Sequence, residues 1–181
     1  MLKFKSVITV KLLQYYLLNP TAKHHINELA RLLAVDAGNL YRKLKELENE
    51  GLFLSEKQGN LRYFYLNKKY PLYKEIEKVF TIEHGLPVAI SDNLDRIKGI
   101  KEAYIFGSYA KGKLKNDSDI DVLLIGKHSA LAAKRIILPL SKTFGREINV
   151  IDLTEDELNA KRQNHDEFIA HIFKQPYLKI I

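Results

Sequence analysis

Asp119 and Asp121 stand two positions apart at the head of the apolar run Ile-Asp-Val-Leu-Leu-Ile, and Gly107-Ser108 closes the apolar run before it. Residues two apart on a strand share a face, so both carboxylates would lie about 6.5–7 Å apart at Cα and converge on one or two magnesium ions. The alternate residues Ile120, Val122 and Leu124 would turn to an opposite, buried face. Two carboxylates at the mouth of a buried strand cost free energy unless a cation pairs with them. Gly107 lets the backbone approach a phosphate, and Ser108 with the amides that follow offers hydrogen-bond donors. Lys111 and Lys113 add positive charge suited to a triphosphate.

Two other motifs fit this stretch less well. Gly107, Gly112 and Lys113 satisfy G-x-x-x-x-G-K after a strand, but Leu114 occupies the place where a Ser or Thr hydroxyl would hold magnesium. Asp117, Asp119 and Asp121 have the spacing of a calcium loop, yet Val122 and His128 stand where Gly and Glu are required.

Gly-Ser-Tyr-Ala-Lys-Gly at 107–112, followed by Asp-Ser-Asp-Ile-Asp-Val at 117–122, closely resembles the signature of minimal nucleotidyltransferases of the DNA polymerase β superfamily. The resemblance covers about residues 86–181. It implies Mg²⁺ (or Mn²⁺) on Asp119 and Asp121 and triphosphate on Gly107 and Ser108. It also implies transfer of a nucleoside monophosphate from NTP to a hydroxyl, with release of pyrophosphate. Family members usually bring a third carboxylate from a later strand. Here that strand reads Gly-Arg-Glu-Ile-Asn-Val-Ile-Asp and places Asn149 at the position. An amide coordinates a cation but accepts no proton, and lost general-base assistance costs on the order of 10²–10⁴ in rate. Glu147 shares the strand face of Asn149 and is the substitute base, whereas Asp152 alternates to the other face unless a bulge intervenes.

The elements that would position these groups alternate. A helix over 87–98 precedes a strand over 101–106, a Gly-Ser turn with a short helix, and a strand over 119–125. There follow a helix over 129–143, a strand over 147–153 and a last helix over 155–173, with Thr154 as N-cap and Glu157 completing a capping box. Such alternation predicts an α/β sheet covered by helices.

The first half is patterned differently. Apolar spacing predicts helices over 6–18, 25–33 and about 39–51, with Asp36 as N-cap of the third and Gly51 as its terminator. Runs at 52–55 and 61–66 read as a hairpin around a flexible tip at 56–60, and 71–84 as a further helix. His24-His25 reads as a solvent-facing helix start, since adjacent helical residues diverge by about 100° and no other ligand set accompanies them.

The segment from 6 to 80 resembles the winged helix-turn-helix DNA-binding domains of prokaryotic transcription regulators. The runs that carry the resemblance are Asn-Glu-Leu-Ala-Arg-Leu-Leu-Ala-Val at 27–35, Leu-Lys-Glu-Leu-Glu-Asn-Glu-Gly-Leu at 44–52 and Arg-Tyr-Phe-Tyr-Leu-Asn at 62–67. It implies that Asn39, Tyr41, Arg42 and Lys45 face the major groove of double-stranded DNA, with Lys57 and Arg62 on the wing.

The fold expected is therefore α+β / α/β, a winged helix-turn-helix over 1–84 followed by a small nucleotidyltransferase-fold mixed sheet with flanking helices over 85–181. The break at Gly85-Leu86-Pro87 marks the boundary, and the helix before it would serve as a connector or dimer contact. The formal charge of +7 favours a polyanionic partner. Residues 1–85 hold 14 Lys and Arg against 9 Asp and Glu, which places most of the excess in the first half. No apolar run approaches the ~18 residues of a membrane span, and the opening Met-Leu-Lys-Phe-Lys lacks a signal-peptide core, so a cytoplasmic location without membrane is expected. The absence of cysteine removes disulfide and Cys-zinc frameworks. The expected function is a DNA-binding protein with an Mg-dependent nucleotidyltransferase domain; the alternative is a transcription regulator whose second domain senses nucleotide or docks a partner without turnover. A homodimer and, by the family resemblance, a small helical toxin protein are the partner expectations.

Overall fold

The computed structural model describes residues 4–115 and 117–181; the first three residues of the opening Met-Leu-Lys-Phe-Lys, and Asn116 within the central stretch, lie outside the described residues. The chain divides into two compact units, residues 1–85 with Lys142–Gly145, and Leu86–Ser141 with Arg146–Ile181.

In the first unit, α1 (Val7–Leu18) begins at Ser6, whose hydroxyl accepts from Thr9 N. A short β1 (His24–His25) leads into α2 (Ile26–Leu33) and α3 (Ala37–Asn49), the latter capped by Asp36. Strands β2 (Phe53–Gln58) and β3 (Leu61–Leu66) form a hairpin, and α4 (Tyr73–His84) closes the unit. The three strands are antiparallel in the order β1-β3-β2. Leu12, Leu13, Tyr16, Leu29, Leu40, Leu44, Phe53 and Phe64 are fully buried in one core.

Two local expectations are corrected here. His25 does stand at a helix start, as N-cap of α2, but the pair is half-buried and strand-paired and not solvent-facing: His24 pairs with Phe64 across the sheet, and its Nε2 lies 2.8 Å from the Tyr15 hydroxyl. Sheet pairing supplies the backbone partners that a helix start would leave open. The hairpin tip is also shorter than 56–60, because the ladder runs to Gln58↔Leu61 and only Gly59-Asn60 turns. Gly59, at φ +61°, supplies the positive φ that such a two-residue turn demands.

The second unit contains α5 (Leu86–Leu94), β4 (Ile100–Phe106), α6 (Gly107–Ala110), β5 (Ile120–Gly126), α7 (Ala130–Ile137) and β6 (Ile148–Leu153), and α8 (Leu140–Phe144) runs across the division after Ser141. The unit ends with α9 (Glu155–Gln163), α10 (Glu167–Lys174) and β7 (Leu178–Lys179). The sheet order is β6-β5-β4-β7, with β5 parallel to β6 and antiparallel to β4, and β7 antiparallel to β4. This is a mixed sheet with helices, and the capping box of Thr154 and Glu157 starts α9 as expected.

Three features depart from the sequence reading. The helix expected over 129–143 is two helices, since Pro139 lacks the N–H and its ring obstructs the preceding turn. The last helix breaks at His165, which adopts φ +52°, and Asp166 caps a new helix by accepting from Ile169 N. Finally, β5 is buried on both faces: Leu123 and Ile125, which share the face of Asp121, are as enclosed as Val122 and Leu124. Leu158, Ile169 and Ile172 from α9 and α10 cover that face.

The hydroxyl of buried Tyr16 donates to the Phe64 carbonyl at 2.9 Å, and burial, with the nearby Tyr15 and Glu28, pushes its phenol above the ordinary range. Tyr16→Phe leaves that carbonyl without its donor. Urea unfolding should show a loss of about 1–2 kcal/mol at unchanged m-value.

Candidate active site

The site forms where β4 ends and β5 begins. Phe106 and Asp121 are register partners across β4 and β5, so Gly107 follows beside the Asp121 carboxylate. Gly107 has φ +73°, and a Cβ there would stand 2.4 Å from Asp121 Oδ2. The conformation calls for glycine, and a side chain there would also turn the Asp121 carboxylate aside. The turn after it is closed by its own backbone: Lys111 N donates to Gly107 O at 3.2 Å and Lys113 N to Ser108 O at 3.0 Å. The Ser108 hydroxyl reaches the Asp119 carbonyl at 3.5 Å. Lys111 is half-buried and Lys113 exposed.

Strand β6 supplies the other wall. Asp121 pairs in register with Asn149, whose Nδ2 lies 3.4 Å from Asp119 Oδ2. Burial and then the negative charge of Asp119 push the Asp121 carboxyl upward, while the Asn149 amide opposes the rise. Two carboxylates that repel one another, with an amide beside them, make a hard-oxygen donor set suited to Mg²⁺ or Mn²⁺. Among the described residues no group of three or more His, Cys, Asp or Glu side chains is placed to hold a metal. The candidate site is therefore two carboxylates and an amide.

The two other acidic candidates fare differently. Glu147 is exposed just before β6, and its carbonyl accepts from Ile120 N at 2.9 Å. Asp152 is engaged elsewhere, 3.0 Å from His128 Nε2 and 3.7 Å from Lys134 Nζ. Its alternation away from Asn149 explains this separation.

Arg146 is a residue that the sequence reading missed. It is 6% exposed, and its Nη1 donates to the carbonyls of Lys115 at 2.6 Å and Ser118 at 3.3 Å. The buried guanidinium thereby anchors the loop that delivers Asp119. The sequence shows only a basic residue ahead of a strand, which ordinarily signals a solvated charge.

In the first unit, Asn39, Tyr41 and Arg42 are exposed on α3 and Lys57 is exposed on β2. The Arg42 guanidinium donates to Asn39 Oδ1. Lys45 and Arg62, by contrast, both engage Glu48, Arg62 at 3.0 Å, and Arg62 also donates to Ser55 Oγ at 2.7 Å. Burial opposes ionisation of Glu48, but Lys45, Ser55 and Arg62 together outweigh it and hold the carboxyl below its usual range.

Comparison with known proteins places this geometry in a class. Residues 89–172 match the family described as nucleotidyltransferase domain. A Methanocaldococcus jannaschii protein named as a protein adenylyltransferase is 43% identical over 56 residues, which is 29% of this chain and 59% of that protein. The chain thus spans about three-fifths of the curated relative it matches. A crystal structure described as a toxin-antitoxin with AMP-PNP is 18% identical at TM-score 0.40, covering 53% of this chain and 73% of that one. Another, described as a nucleotidyltransferase from Sulfolobus solfataricus, is 23% identical at TM-score 0.29, with coverage of 41% and 68%. No helix among the described residues is long and apolar enough to cross a membrane.

An acid held above its unfolded-state value destabilises the fold at pH above both values, and that cost fades as the pH falls below them. Asp121→Asn should therefore raise the melting temperature at neutral pH without divalent cation, with the gain shrinking towards pH 3. Added Mg²⁺ should stabilise the native chain and not the variant, as read by thermal melting.

Proposed function

We propose that the second unit transfers a nucleoside monophosphate from a nucleoside triphosphate to a hydroxyl acceptor. The observation that supports this best is the Asp119–Asp121 pair packed against Gly107, inside the span that matches the nucleotidyltransferase family. Asp119 and Asp121 would hold Mg²⁺ or Mn²⁺, which when bound neutralises phosphate charge and polarises the reacting phosphorus. Backbone at Gly107 and the Ser108 hydroxyl would receive the phosphates, with Lys111 and Lys113 adding positive charge. The acceptor oxygen bonds to the α-phosphorus, the bond to the β-phosphate bridging oxygen breaks, pyrophosphate leaves and the acceptor proton passes to a base.

Asn149 cannot take that proton, which leaves Glu147 or solvent. Turnover should accordingly be slow relative to a site with a third carboxylate. The name of the Methanocaldococcus relative suggests ATP as donor and a protein hydroxyl as acceptor.

Incubation with each α-labelled NTP, Mg²⁺ or Mn²⁺, and protein, RNA or self as acceptor tests this. Label transfer should be abolished in Asp119→Asn and Asp121→Asn. Nucleotide binding without any transfer would instead establish a sensor.

A second reading concerns the first unit. Helices α2 and α3 joined by the short turn at 34–36, followed by the β2–β3 hairpin, favour a winged helix that binds double-stranded DNA. Of the six candidate contacts, Lys45 and Arg62 are held by Glu48, so Tyr41, Arg42 and Lys57 would carry the first encounter. On this reading Arg42→Ala with Lys57→Ala weakens DNA binding and flattens its salt dependence, and Glu48→Gln strengthens it by freeing two cations. Fluorescence anisotropy across a salt series measures both. Affinity indifferent to salt and to all three changes would rule the reading out.

A further inference from the structure

The sheet face that carries Asp121 also carries Leu123 and Ile125 on β5, and Tyr104 and Phe106 on β4. Helices α9 and α10 cover it, and the cover ends at Phe106. There the ring of Phe168, in the first turn of α10, meets Phe106 edge to face, with centroids 6.2 Å apart and planes at 79°. Ile169 and Ile172 on the same helix are almost wholly enclosed, at 2% and 1%, whereas Phe168 is 47% exposed. Phe106 immediately precedes Gly107 and is the register partner of Asp121. One aromatic side chain thus separates an open ring from the turn and the carboxylate pair.

The start of the helix that carries the ring is also held in place. The left-handed His165 and the Asp166 cap fix where α10 begins, and Lys161 secures Asp166 at 2.8 Å. Exposed phenylalanine on a helix with a well-filled inner face adds little to folding. A flat, positioned π surface beside a phosphate and metal site is suited to a nucleobase, because stacking on an aromatic ring needs no particular hydrogen-bond pattern.

We infer that Phe168 is the stacking platform for the base of the bound nucleoside triphosphate. This rests on the triphosphate-binding reading of Gly107, Ser108, Asp119 and Asp121. Discrimination among bases would then follow stacking strength, with purines bound more tightly than pyrimidines and none rejected outright.

The chain contains no tryptophan, so Phe168→Trp introduces a unique fluorophore at the platform. A nucleoside triphosphate made non-hydrolysable between the α- and β-phosphates should, with Mg²⁺, quench that indole, whereas Mg²⁺ with tripolyphosphate should not. By calorimetry, Phe168→Ala should weaken nucleotide binding on the order of tenfold and leave tripolyphosphate binding unchanged, with Phe168→Tyr near the native value. An indole insensitive to nucleotide that calorimetry shows to be bound would overturn the platform, as would an Ala variant that binds nucleotide as tightly as the native chain. A native chain that binds neither nucleotide nor tripolyphosphate would overturn the triphosphate reading and the platform with it.

Discussion

The burial of the Asp121 carboxylate at the mouth of β5, with Asp119 beside it, is the constraint on which the candidate site depends. Strand β5 is enclosed on both faces, and its only polar side chain, Asp121, lies at the end where the helical cover gives out. Gly107 adopts φ +73°, which favours glycine, and the Asp121 carboxylate lies against the place of its missing side chain. The Asn149 amide, set opposite Asp121 by the parallel β5–β6 register, relieves part of the charge without adding to it. A carboxylate at that position would have added a third negative charge, whereas the amide adds none.

Charge is managed in the opposite manner in the first unit. Glu48 gathers Lys45 and Arg62 around one carboxylate, so two positive groups that the sequence places on a helix and a strand share a single counter-charge. Surface ion pairs of this kind contribute little to stability, about 0–1 kcal/mol each. Their larger consequence is to decide which cations face outward. Arg42 and Lys57 lie outside that cluster, and a partner with dense negative charge would meet them before the pair held by Glu48.

Much of the architecture was legible because it depends on local chemistry. Asp36 and Thr154 are caps in the structure as their side chains and the following apolar periods imply. The breaks were harder. Pro139 splits one expected helix, although the apolar period continues across it. His165 ends another in a left-handed conformation that Asn or Gly would have advertised and that histidine adopts less often. Strand β7, at two residues, is too short to carry a period, and exists only because β4 offers a free edge to pair with.

For the candidate site, the sequence alone determined the candidate residues and the turn: two aspartates at strand spacing, a Gly-Ser break before them, and an asparagine in the later strand. Those follow from residue type and from the two-residue period of an extended chain, both local properties. Tertiary structure decided which groups meet. It set Asn149 against the carboxylates, drew Asp152 away to His128 and Lys134, buried Arg146 beneath the loop before Asp119, and carried Phe168 to Phe106. Each of these depends on strand register or on the packing of helices distant in the chain, and neither is encoded in the spacing of neighbouring residues.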